Sequence, residues 1–250
     1  MRDPDWLRSE PIAHRGLFDP ALGIPENSLS AFRRAAEQGI PIELDVQLAH
    51  DGTPAVLHDA TLERMTGTAL PVSQLPRTDL GRLRLGDSDE PVPTLEQALE
   101  VTDGRVPVVI DVRRWGSELS PRLERAVAGG IRDYRGPLAL QSFDPLAVHR
   151  LRRLIPDRPV GQISGALRSA GRAAALIGRT MVTNFATSPD FIAYELEMLP
   201  SRWTTFWQRR GTPVLAWTVT SAKTEAHAAR VADNFFFDGY LPTAHQVPAM

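Results

Sequence analysis

Two histidines and four acids fall within PIELDVQLAHDGTPAVLHDA, residues 41 to 60. A solvated polar face accounts for one or two titratable groups on a strand, not for this many. Asp51-Gly52 is a two-residue hairpin signal, because both central positions of a type I′ turn need positive φ. With His50 and Thr53 flanking that turn, the register sets Asp45 opposite His58 and Gln47 opposite Val56. Period-two alternation then keeps Glu43 and Asp45 on one face, with His58 across from Asp45 on that same face. His14-Arg15-Gly16 closes the preceding apolar run, and Asp111 and Arg113 share one side of a later one. Three carboxylates (Glu43, Asp45, Asp111) without a sulfur ligand suit one hard divalent cation, Mg²⁺ or Ca²⁺, for which oxygen donors are preferred. Zinc would need His14 or His58 as ligands and would remove them from proton transfer. A cation beside two imidazoles and the guanidiniums of Arg15 and Arg113 makes a site for an anion, and phosphate is the obvious one, since Arg grips it bidentately.

The elements that must position these groups can be read as alternating strands and helices. Eight β-rich runs recur: PIAHR, PIELDVQ, VPVVIDV, GPLALQSF, RPVGQI, TMVTNF, TPVLAWTV and NFFFDG. Helical segments lie between them with recognisable starts: Asn27 or Ser28 before LSAFRRAAEQ, Thr94 with Gln97 as a capping box, and Asp144 before Pro145. Continuous Val/Ile/Leu content implies strands buried on both faces, and this alternation over 250 residues predicts a (β/α)8 TIM barrel spanning residues 1–250 as one domain. In such a barrel the strands deliver their C-terminal ends to one rim, which would bring His14 and Arg15 near Glu43. Residues 60–93 break the alternation with Pro and Gly and read as a small insertion after the hairpin. Trp217 falls at a strand end, where an indole either lines an alcohol pocket or packs in the core.

Bulk properties exclude several classes of function. The net charge of −2 and pI near 6.3 give no global field for nucleic acid or an anionic membrane. No apolar run approaches the ~20 residues of a membrane span. The N-terminal MRDPDWLRSEPIAHRG has no apolar signal region, so the expected compartment is the cytoplasm. There is no cysteine, and Lys223 is the only lysine among 28 basic residues.

Taken in order, IAHRG, PENSLSAF, IELDVQL, DGTPAVLHDATLERMTG, VPTLEQAL, LQSFDP and AWTV resemble the glycerophosphodiester phosphodiesterases, most densely over residues 12–67. The resemblance implies a barrel that cleaves small-molecule glycerophosphodiesters into sn-glycerol 3-phosphate and an alcohol with one divalent metal. His14 and His58 match the family's catalytic pair, Glu43 and Asp45 match two metal ligands, and Arg15 is the arginine beside the first histidine. Two places depart from the pattern. Asp111-Val112-Arg113 stands where Glu-x-Lys is usual, as in the related sphingomyelinase D enzymes for the aspartate, and FDGYLP replaces a Thr-Asp after the last strand. Glu26, in the PEN segment, is expected to be structural. Two other readings stay open: a phospholipase D-like activity on lysophospholipids, using an apolar groove from Leu70, Leu75, Leu80, Leu83 and Leu85, and a non-catalytic phosphate-binding barrel.

Overall fold

The computed structural model describes residues 5–115, 119–166 and 172–245. Its nine strands run in the order β1-β9-β8-β7-β6-β5-β4-β2-β3, and β1 also pairs with β2. Eight of them are parallel and close into the expected (β/α)8 TIM barrel. The ninth, β3, is antiparallel. The chain divides into two compact units, Ala13–Leu138 and Met1–Ile12 with Ala139–Met250.

The first unit takes in Ala13 of β1 (Ile12–Ala13), then α1 (Leu29–Glu37), β2 (Ile42–Leu48), β3 (Pro54–Val56), α2 (Glu63–Thr66), α3 (Arg77–Leu80), α4 (Leu95–Thr102), β4 (Val108–Val112) and α5 (Arg122–Gly130). Ser28 caps α1 by accepting from the Ala31 amide, and Thr94 and Gln97 form the capping box of α4. β1 pairs with β2 only at Ala13 and Ile42, which leaves the C-terminal half of β2 for β3. On its other edge β2 runs in register with β4, Asp45 beside Asp111.

The hairpin turn differs from the sequence expectation by one residue. The observed pairs are Val46 with Val56, Gln47 with Ala55 and Leu48 with Pro54, and the Ala49 amide donates to the Thr53 carbonyl at 2.9 Å. His50, Asp51 and Gly52 therefore form a three-residue loop, in which Gly52 alone has positive φ, 87°. Two contacts explain the longer loop. The Asp51 carboxylate accepts from the Thr53 amide at 3.1 Å and the Arg77 amide at 2.9 Å, and the His50 amide donates to Leu75 O at 3.0 Å instead of joining the ladder.

Beyond the hairpin, Leu80 and Leu85 pack with Leu57, Leu62, Met65, Val72 and Val92 in a small core, against which Leu75 and Leu83 are half-buried. Only Leu70 of the expected lipid-facing leucines is exposed. The apolar surface of this segment thus closes on itself and builds no open groove.

The second unit carries β5 (Leu138–Ser142) from Ala139 on, α6 (Pro145–Leu154), β6 (Val160–Ser164), α7 (Arg172–Thr180), α8 (Asn184–Thr187), β7 (Phe191–Glu195), α9 (Arg202–Arg209), β8 (Val214–Val219), α10 (Ala222–Val231) and β9 (Asn234–Phe237). Asp144 caps α6 with Pro145 at its first position. The run TMVTNF is not a strand. Met181 has positive φ, Val182 and Phe185 are exposed, and α8 begins at Asn184. The strand is FIAYE, whose Phe191 to Tyr194 are all buried. Burial on both faces decided between two runs of similar β-propensity. Among the described residues no helix is long and apolar enough to cross a membrane.

Candidate active site

Glu43 and Asp45 sit two residues apart on β2, and register places Asp111 of β4 beside Asp45. One oxygen from each lies within 4.8 Å of the others, and all three are buried. Confining three like charges in a low-dielectric site is costly, and their ionisation reflects it. Burial, reinforced by the charges of Asp45 and Asp111, holds Glu43 well above the usual carboxylate range. Asp111 is pushed up to about 7, chiefly by burial. Asp45 goes the other way: burial raises it, but Arg113, His58, Arg15 and His14 together outweigh that and keep it ionised.

The loop after β1 wraps the cluster. The Arg15 amide donates to Glu43 Oε2 at 3.0 Å and the Gly16 amide to Glu43 O at 3.1 Å. This needs φ of 61° at Arg15 and 82° at Gly16. A Cβ on Gly16 would stand 2.9 Å from the Phe32 ring, so the wrap requires glycine there. Asn27, also at positive φ, is buried, donates from Nδ2 to Asp45 Oδ2 at 2.9 Å and accepts the Asp45 amide at 3.2 Å. Two non-glycine residues in the left-handed region beside one carboxylate are an investment in geometry.

The hairpin delivers His58 in spite of the shifted register, because His58 lies past the last ladder pair. The Leu57 amide donates to Asp45 O at 3.1 Å, and the Gln47 side-chain amide donates to Leu57 O and Asp59 O, both at 2.6 Å. The residue between those two carbonyls is held in place. His58 Nδ1 lies 2.7 Å from Asp59 Oδ1. Burial, helped by the charges of Arg113 and Arg15, lowers the His58 pKa in spite of Asp45 and Asp59, which raise it.

Arg64 of α2 extends the network. Its Nε meets Asp59, its Nη2 lies 2.6 Å from Glu26 Oε1, and Glu26 accepts in turn from Arg15 Nη1 at 2.8 Å. From His58, hydrogen-bonded to Asp59, a chain of alternating charge therefore runs through Asp59, Arg64 and Glu26 to Arg15, whose Nε is 3.5 Å from Asp45. Arg113 turns inward. Its Nη1 donates to Asp45 Oδ1 at 3.0 Å and to Asp111 Oδ2 at 2.8 Å.

Glu43, Asp45, Asp111, Arg15, Arg113 and His58 thus converge in one unit, and the field of His14 reaches Asp45 there. Trp217 belongs to the other unit, half-buried on β8 and edge-on to Phe143 at 5.7 Å between ring centroids. Asp59 and Arg64 were not singled out by sequence reasoning, and Asn27 only as a possible helix start. The Asp59 signal was its place beside His58, whereas Arg64 and Asn27 touch the site only through tertiary contact. The residues fit a hard cation: the donors are all carboxylate oxygens, and Asp111 Oδ1 is buried with no hydrogen-bond partner.

A parallel (β/α)8 barrel with a buried carboxylate cluster and a histidine-bearing hairpin on its second strand defines a class of phosphoester-handling barrels. The glycerophosphoryl diester phosphodiesterase family model matches residues 14–234, and the chain belongs to that family. A glycerophosphodiester phosphodiesterase of Caldanaerobacter subterraneus is 31% identical over 160 residues, 60% of this chain and 64% of that protein. The human glycerophosphodiester phosphodiesterase 1 is also 31% identical over 160 residues, 60% of this chain but 47% of its own length. The chain thus spans less than two thirds of either relative. An Oleispira antarctica phosphodiesterase, solved with its product sn-glycerol-3-phosphate, superposes with a TM-score of 0.77 at 23% identity, covering 91% of this chain and 92% of that one.

Proposed function

We propose that this protein hydrolyses glycerophosphodiesters to sn-glycerol 3-phosphate and an alcohol, with one divalent cation, Mg²⁺ or Ca²⁺, held by Glu43, Asp45 and Asp111. The observation that carries the reading is the buried three-carboxylate cluster beside His58. Family membership and the product bound by the Oleispira enzyme support the substrate class. When bound, such a cation supplies positive charge against the anionic oxygens of the diester and favours ionisation of water.

The chain's own residues do the rest. Arg15 and Arg113 orient the phosphate. His14 and His58 share the two proton transfers, one taking a proton from the attacking water and the other giving one to the departing alcohol, each typically worth ~10²–10⁴-fold. Asp59, accepting at His58 Nδ1, fixes the tautomer so that Nε2 handles the proton. Gln47 and Arg64 position that pair. The enclosed leucines beyond the hairpin favour a water-soluble diester over a lysophospholipid.

A panel of glycerophosphodiesters assayed after exhaustive chelation, then with Mg²⁺, Ca²⁺ or Mn²⁺ restored, tests the reading. Activity should vanish with the chelator and return with the ion. Full turnover without any cation would overturn the proposed ligand set, and no turnover under any condition would favour a phosphate-binding barrel without catalysis.

A further inference from the structure

The helices α6 to α9 of the second unit bear charge of one sign. Their sequences are PLAVHRLRRL, RAAALIGRT, NFAT and RWTTFWQR; all but the short α8 carry arginine and none carries Asp or Glu, in a chain whose net charge is −2. The acids of the connecting segments are mostly engaged: Asp144 caps α6, Asp190 meets Arg152 at 2.6 Å, Asp157 lies 3.8 Å from Arg158, and Glu195 accepts the Ala166 amide at 2.7 Å. Glu197 is exposed between β7 and α9.

Three of these helices join in one layer. α8 packs against α6 and meets α9 through Phe185, whose ring lies 5.9 Å from Phe206 and 5.3 Å from Trp207. Trp207 is buried and anchors the contact. Phe185 and Phe206 nonetheless stay 58% and 36% exposed, and so does Val182 at 53%, one turn before Phe185, whose amide donates to Val182 O. Apolar side chains left in water side by side mark an interaction surface.

Guanidiniums flank these rings. On α9, Arg202 precedes Phe206 by four residues and Arg209 follows it by three, which puts all three on one face of the helix. Arg210, just past the helix, stands over the Phe206 ring at 5.6 Å. All three arginines are exposed.

An aromatic centre with a cationic fringe suits an anionic bilayer, where rings enter the headgroup boundary and guanidiniums meet lipid phosphates. A second copy fits less well, because a two-fold pairing would set arginine fringe against arginine fringe. The attraction is local, since the net charge of the whole chain gives none. The proposed substrate agrees with this occupant. A glycerophosphodiester is what remains when both acyl chains leave a phospholipid, so the class of reaction that supplies it is deacylation at a bilayer.

We propose that the face formed by Val182, Phe185 and Phe206 with Arg202, Arg209 and Arg210 docks the protein on an anionic lipid surface. The inference goes beyond the activity proposed above, and its test needs no turnover.

Flotation of the full chain with vesicles of phosphatidylcholine, alone or mixed with phosphatidylglycerol, reads the binding. The wild type should float with the mixed vesicles and not with the neutral ones. High salt should release it, because the attraction falls off within a Debye length, ~8 Å at physiological ionic strength and shorter above it. The double variant Arg202→Gln/Arg209→Gln should bind about tenfold or more weakly, with an unchanged melting temperature because both side chains are exposed. Phe185→Ser, which keeps the charge, should weaken binding as well. Binding indifferent to lipid charge or to the double variant overturns the proposal, and so does a folded wild type that floats with neither vesicle. A dimer seen by light scattering and dissolved by Phe185→Ser, without vesicle binding, overturns it in favour of a second copy on this face.

Discussion

Asp111 carries the balance of the carboxylate cluster, since its protonation decides how much like charge the site must hold. Its pKa is pushed up to about 7 by burial, and Glu43 is raised with it. An acid whose folded pKa lies above its unfolded value, near ~4, contributes stability that is complete below that value and is lost as pH rises through the folded one. The metal-free protein should therefore melt several degrees lower at pH 8 than at pH 5, with ~1 kcal/mol corresponding to roughly 2–4 °C for a chain of this size. Asp111→Asn should flatten that dependence, and so should a saturating divalent cation. Equal melting temperatures at the two pH values in the chelated wild type would show that the cluster is not electrostatically strained. Much of this chemistry was legible in the sequence, because acids and imidazoles at strand spacing are costly to leave unexplained. Asn27 was not: its role depends on a left-handed backbone and a contact across 18 residues, and an Asn after Pro-Glu reads like any turn residue.

At the scale of elements, the loop after β1 and the hairpin after β2 are the two positioning devices. The first depends on Gly16, where positive φ and the Phe32 ring both exclude a side chain. Gly16→Ala should cost at least ~1 kcal/mol of stability and lower kcat/KM more than that loss implies, because the Arg15 amide would no longer meet Glu43. Differential scanning calorimetry with kinetics on the folded fraction checks both; a variant destabilised but fully active when folded would refute the positional role. The sequence marked both devices but misjudged the second by one residue. Asp-Gly does signal a turn, yet the Asp51 side chain captures the Thr53 and Arg77 amides, and such capture from a distant segment leaves no local trace. The strand FIAYE was missed for a related reason: TMVTNF has equal propensity, and only burial in the sheet separates them.

For the molecule as a whole, the near absence of lysine concentrates positive charge in guanidiniums. Arg15, Arg64 and Arg113 belong to the site network, while Lys223 is exposed on α10. Acylation of amines should then leave turnover intact, and a guanidine-directed dicarbonyl should abolish it, with substrate or cation slowing the loss. Inactivation by the amine reagent, tracked by mass spectrometry to Lys223, would contradict this arrangement. The distribution of the site residues along the chain has another consequence. His14, Arg15, Glu43, Asp45, His58, Asp111 and Arg113 all fall in the unit Ala13–Leu138, and Trp217 in the other. In the terms of recombination, a crossover near Leu138 passes on these acids, imidazoles and guanidiniums as one inherited block and exchanges everything from Ala139 on, Trp217 included.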